Sequence, residues 1–311
     1  MTTSPKIRAA RFSIATATGL TLLKLATGVA TGSMAILSSA IDSLLDIVMS
    51  GVNYLAIRQA EQPADQSHPF GHGKFETVAT LIQALVIAAS GIGIIYESTR
   101  RLHQGVHLGL LDEGIVVLII SAGVSWRISR FLRKTARETD SSALQADSLH
   151  FAMDVYTNLG LVVGLAVIKF VNVPWLDPVL SILVALYILF EALRLVRYGL
   201  RDVLDENLPE SIRQEIARLI EAHKHDLLGY HNLRTRRAGS QKIMDFHLTV
   251  CKHLSVEEAH DIADHLEKRI QEEIKGSDVT IHIEPCRRED CPGRERCPTE
   301  KARLEDTSSD T

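Results

Sequence analysis

Four residues set the chemistry open to this chain. Asp42 and Asp46 stand four apart in SMAILSSAIDSLLDIVMSG, and His150 and Asp154 repeat that spacing in ALQADSLHFAMDVYTNLG. A four-residue step returns a helix to the same face, so each pair projects from one side of its helix. Both stretches are otherwise apolar enough to cross a bilayer. Ionisable groups in such segments face a bundle interior or an aqueous cavity and mark an ion or proton path. If the two helices pack together, three carboxylates and one imidazole converge, a tetrahedral complement for a divalent cation. Asp147, in the second stretch, reads as a solvated or capping residue.

Three carboxylates in a low-dielectric surrounding need neutralising, either by a metal or by protons. The two therefore compete for one site. Exposing that site first to one side of the membrane and then to the other would exchange metal for protons.

A second donor group follows the first pair. Asp65, His68 and His72 fall in a polar loop with Pro63, Pro69, Gly71 and Gly73. Oxygen and imidazole donors at such short spacing suit a borderline divalent cation such as zinc.

The elements that must position these residues show in the composition. The chain has 311 residues, 46% of them hydrophobic, with a mean hydropathy of +0.07. That is too apolar for a typical soluble protein and too polar to lie wholly in lipid. Apolar segments of about 20 residues fall near 11–31, 34–57, 77–98, 110–130, 146–171 and 178–198. Six spans place both termini on one side. Lys and Arg concentrate before the first span, between the second and third, after the fourth and after the sixth, so both termini are expected in the cytoplasm. No removable signal peptide is seen. The formal net charge of −4 and the lack of a basic patch argue against a nucleic-acid partner.

After the sixth span the character changes. Residues 210–224 read as an amphipathic helix, and 229–237 and 241–251 as strands around a turn at Ala238, Gly239 and Ser240. Ser255 with Glu258 is a capping box opening a helix to about Ile274. A third strand carries Val279, Ile281 and Ile283 on one face and Thr280, His282 and Glu284 on the other. The expected fold is thus a six-helix membrane domain over 1–201 and a small cytoplasmic α+β metal-binding domain over 202–290. His231, His247, His260, His282 and Glu284 all lie in the second domain, a metal cluster able to bridge metals and stabilise a dimer. Residues 291–311 have the composition of a disordered tail. Cys286, Cys291 and Cys297 fit no standard zinc knuckle, and the clustering of all four cysteines in the last quarter suggests a reduced cytoplasmic segment.

DSLLD in the second span, the PADQSHPFGHGKFE loop, ADSLHFAMD in the fifth span, NLRTRRAG and VTIHIEPC together resemble the cation diffusion facilitators, most closely their bacterial zinc and ferrous iron efflux branch. The resemblance runs from about Ile14 to Cys286. It implies a six-span metal/proton antiporter with a metallochaperone-like cytoplasmic domain, working as a homodimer in the inner membrane. It further implies that Asp42, Asp46, His150 and Asp154 are the transport site and that Asp65, His68 and His72 form a loop site. His231, His247, His260, His282 and Glu284 match the bridging cluster, with Glu284 where relatives usually carry Asp and Ile283 where a polar residue is common. Lys74 and Asp205 match a charge pair that locks the protomers. Zinc is the first expectation for the metal, with ferrous iron, cadmium and manganese also suited to the donors. A membrane metal sensor or scaffold without transport stays open as the alternative, whereas a membrane metalloenzyme should show several His-x-x-x-His or His-x-x-His boxes with a catalytic group beside the metal.

Overall fold

The structure is a computed structural model that describes residues 4–31, 34–104, 112–171, 175–223, 227–287 and 289. It divides into two compact units, residues 1–203 and 204–311. The described residues of unit one form six helices: α1 (Pro5–Thr31), α2 (Met34–Ala60), α3 (Lys74–Gln104), α4 (Asp112–Thr139), α5 (Ser142–Val171) and α6 (Leu176–Val203). Among the described residues, α1, α2, α3, α4 and α6 are long and apolar enough to cross a membrane. The remaining helix, α5, has 30 residues, or about 45 Å of rise. Side chains of 164–171 at its end lie outside the described residues. Several helices run past the apolar segments. α4 continues to Thr139 and α6 to Val203 because their ends carry Arg127, Arg130, Arg133, Arg197 and Arg201, charges that sit in water or headgroups rather than in hydrocarbon.

The bundle is apolar outside, and inside it buries polar residues among its apolar clusters. Leu44, Leu45, Val48, Leu85, Ile92, Leu183, Phe190 and Leu193 are exposed, whereas Ser13, Ser50, Asn53, Glu76, Gln83 and Asp147 are fully buried. A surface of this kind suits lipid, where association rests on close packing and internal hydrogen bonds. α3 packs on α6, α4 on α5, and α1 on α2. Gly199 lets α3 and α6 approach closely, since a Cβ there would meet the Leu81 side chain at 2.7 Å. At the end near the loop, Lys6 pairs with Glu76 at 3.1 Å and Glu61 at 2.8 Å, and Ser141 donates to Glu76 at 2.5 Å.

Unit two has the order α7 (Glu210–Ala222), β1 (Gly229–Ala238), β2 (Gln241–Val250), α8 (Val256–Glu273) and β3 (Ser277–Pro285). The sheet order is β1-β2-β3, antiparallel then parallel. Ser255 caps α8 in a full capping box with Glu258, and the β1–β2 turn needs Gly239 at φ 63°. Met244, Phe246, Leu248 and Val250 share one face of β2 and pack with Ile216, Ile220, Leu266 and Ile270 of the helices. The opposite face is left for the polar residues of the strands. Phe246 is fully buried at the centre. Phe246→Ala should destabilise the domain by about 3–5 kcal/mol, measured by urea unfolding of the C-terminal domain expressed alone; a loss below about 1 kcal/mol would contradict this core.

Candidate metal centres

The helix pairing brings α2 and α5 face to face. Asp46, His150 and Asp154 each offer a ligand atom, and these atoms lie within 4.8 Å of one another. His150 Nε2 lies 2.8 Å from Asp46 Oδ1, and its Nδ1 has no hydrogen-bond partner among the described residues. The imidazole is therefore held by the ligand set itself rather than by a second group behind it. Asp42 lies one turn before Asp46 on α2, but its side chain falls outside the described residues. Lys24 of α1 is buried nearby and donates to Ser43 at 2.8 Å, on the same stretch of α2.

The loop is built differently. Asp65 Oδ1 accepts from the amides of Ser67 at 2.8 Å and His68 at 2.7 Å, closing a turn on its own backbone. Gly71 takes φ 78°, which lets the chain reverse before α3. His72 is buried, and its Nδ1 donates to the Pro63 carbonyl at 3.2 Å. That bond leaves Nε2 free to act as a lone-pair donor, 3.4 Å from Asp65 Oδ2. His68 Nδ1 is 3.4 Å from Asp65 Oδ1, and the ligand atoms of all three residues lie within 4.8 Å. The His68 amide, with the Ser67 amide and the two imidazoles, holds the Asp65 carboxyl below the usual range. The Asp65 carboxylate is therefore an anionic oxygen donor for a cation at neutral pH.

Strand register makes the third group. His231 pairs with His247 across β1 and β2, and His247 with His282 across β2 and β3. The rings form a row with centroids 5.0 and 4.8 Å apart. Glu284, two residues beyond His282 on the same face, reaches His247 Nδ1 at 2.8 Å and His231 Nε2 at 3.4 Å. A bulge between His231 and Arg234, with Asn232 at φ 55°, ends the regular pairing beside this row. His231, His247 and Glu284 have their ligand atoms within 4.8 Å, and His282 stands 3.9 Å from Glu284.

His260 departs from the expected cluster. It is exposed on α8, the helix that covers the apolar face of the sheet, so within one chain it does not reach the histidine row on the other face. Asp147 also departs from its reading as a solvated residue. α5 starts at Ser142 rather than near 146, which puts Asp147 in the second turn and turns it into the bundle, fully buried against Ser13. The signal was present in the spacing, because Asp147 lies three residues before His150 and Ser50 and Asn53 lie four and seven after Asp46. Lys74 opens α3, and Asp205, at φ 53°, lies 3.5 Å from Arg236 within the second unit. Cys286 and Cys251 are free thiols, and Cys291 and Cys297 lie outside the described residues.

Comparison with known proteins gives these sites a context. The cation efflux transmembrane domain matches residues 10–204, and the cytoplasmic domain of cation efflux proteins matches residues 208–286. The cation-efflux pump FieF of Klebsiella pneumoniae is 35% identical over 278 residues, covering 89% of this chain and 92% of that protein. FieF of Salmonella newport is 35% identical over 279 residues, covering 90% of this chain and 92% of that protein. Among solved structures, the Zn form of the transporter CzrB is 38% identical over 26% of this chain and 92% of its own, with a TM-score of 0.25.

The bond from His247, aided by the neighbouring charges, holds the Glu284 carboxyl below its ordinary range. A depressed pKa means that this pairing stabilises the metal-free domain above the ordinary glutamate value and is lost as pH falls through the lowered one. Carboxyl-carbon NMR of the metal-free domain should show Glu284 titrating below an exposed glutamate, and a midpoint at or above that reference would contradict the pairing.

Proposed function

The chain belongs to the cation efflux family, the cation diffusion facilitators, and on that premise we propose that it exports divalent metal in exchange for protons across a bacterial inner membrane. The coarser statement, a multi-pass cation efflux transporter with a C-terminal α+β domain, follows from family membership. The finer reading is carried by one observation: Asp46, His150 and Asp154 converge inside a bundle whose outer surface is apolar. Asp42, one turn away on the same helix, supplies the fourth ligand. A mixed carboxylate and imidazole set suits zinc first, and the affinity order among divalent ions favours zinc over iron and manganese. Ferrous iron, cadmium and manganese are secondary cargoes.

Charge supplies the coupling. Without metal the carboxylates face a low-dielectric surrounding, and protons are the cations that can replace the cargo. A site opened to the cytoplasm takes up metal and gives up protons; opened outward, it does the reverse. Both termini are cytoplasmic in this reading, and Asp65, His68 and His72 offer cargo a first donor set at the loop.

The C-terminal row is a fit for structural zinc. His231, His247 and Glu284 would hold the ion, with His282 beside them, and zinc there would supply fixed cross-strand charge. His231 and His282 are exposed, which leaves coordination positions that a second copy can fill. Homodimerisation follows from that, and Lys74 with Asp205 acts as the charge pair between protomers. A sensor or scaffold has no use for the intramembrane ligands.

In proteoliposomes, inward-directed zinc should drive measurable counter-movement of protons, and Asp46→Ala should reduce both fluxes to the protein-free background. Metal flux without proton movement would overturn the exchange. Absence of any metal flux, with zinc still bound at the C-terminal domain, would favour the sensor.

A further inference from the structure

On the loop side of the intramembrane ligands, the bundle holds a second polar group. Asp147 is fully buried, and Ser13 donates to its Oδ2 at 2.5 Å. The Ser13 and Ser50 hydroxyls are 3.0 Å apart. Asn53 and Gln83, both fully buried, stand against the same carboxylate, with Asn53 donating to the Gln83 amide oxygen. Four helices, α1, α2, α3 and α5, thus each send polar atoms to one place. Three of those atoms have no hydrogen-bond partner among the described residues: Asp147 Oδ1, Asn53 Oδ1 and Gln83 Nε2.

A fully buried carboxylate is costly in any protein interior even with a hydroxyl and two amides against it, and more so within hydrocarbon. Packing alone does not account for it, because an apolar residue would fill the space at no electrostatic cost. The group also has a defined place along the bundle. Asn53 follows Asp46 by seven residues, which is about 10 Å along α2 towards the loop, and Asp147 precedes His150 by about 4.5 Å along α5. Ser141, just before α5, bonds Glu76, just after the loop, so both helix ends lie on the loop side.

We propose that Asp147, Asn53, Gln83, Ser13 and Ser50 form a staging site at which a divalent cation, still partly hydrated, pauses between the loop and the Asp46, His150 and Asp154 ligands. This rests on the transport reading above. The donors are oxygens only, from one carboxylate, amides and hydroxyls. Such a set, with a single carboxylate, holds a hard divalent ion more loosely than the ligands further in. The imidazole one turn further on then completes a tighter set for a borderline ion. A graded pair of this kind lets cargo enter the bundle without losing all its water in one step.

The test measures zinc uptake rates over a range of zinc concentrations in proteoliposomes, and manganese bound to the full chain in nanodiscs by electron paramagnetic resonance. Asp147→Asn should raise KM for zinc about tenfold, more than it lowers kcat, and remove one weakly held manganese. Asn53→Asp, which adds a carboxylate, should hold manganese more tightly, lower KM and slow turnover. Wild-type KM and manganese count in Asp147→Asn would overturn the staging site while leaving transport intact. If Asp147→Asn does not fold, unchanged KM and manganese affinity in Asn53→Asp would overturn it equally. Absence of flux in the wild type would instead overturn the transport reading, and the staging site with it.

Discussion

The cost of charge in a low-dielectric bundle governs the membrane half of this protein. Insertion scales put a single charged residue at the bilayer centre at about 2.5–3.5 kcal/mol. Every buried charge described here has a neighbour that reduces this cost. Glu76 has Lys6 and Ser141, Lys24 has Ser43, and Asp147 has Ser13. Asp46 has the His150 imidazole, and that is the pairing a metal would break and replace. A set of carboxylates that cannot all stay ionised and empty is one that must always hold some cation. The proposed exchange of metal for protons rests on that constraint.

Three ways of gathering ligands serve three purposes. In the membrane, four-residue spacing on two rigid helices fixes direction, so the set is as stiff as the packing of α2 on α5. At the loop, Asp65 is tied to nearby backbone amides and His72 to the Pro63 carbonyl, with the His72 ring stacked on Phe75 of α3, which gives a small site at the entry to that helix. In the C-terminal domain, strand register lines up His231, His247 and His282, while the buried face of the same strands supplies the core. Stability and the proposed metal site use opposite faces of one sheet, so substitutions at the proposed ligands leave the core untouched.

Much of this was legible in the amino-acid sequence. The period of two in Met244, Phe246, Leu248 and Val250, the Ser255 and Glu258 cap, and the paired carboxylates inside apolar segments each follow from local rules. Other features depended on which residues meet across helices. Asp147 looked solvated because its position near the start of a span says nothing of the α1 residues facing it. Lys6 looked like one more cytoplasmic charge until Glu76 was placed beside it. His260 shares a domain with the histidine row, and only the side of the sheet that α8 covers separates them.

The central claim is that Asp42, Asp46, His150 and Asp154 bind the cargo within the membrane. The most direct measurement is zinc K-edge X-ray absorption on full chain whose loop and C-terminal ligands have been replaced by alanine, loaded with one zinc per chain. The expected result is a four-coordinate shell of one nitrogen and three oxygens at about 2.0–2.2 Å. A sulfur shell near about 2.3 Å, a six-oxygen shell, or failure to retain zinc would contradict it.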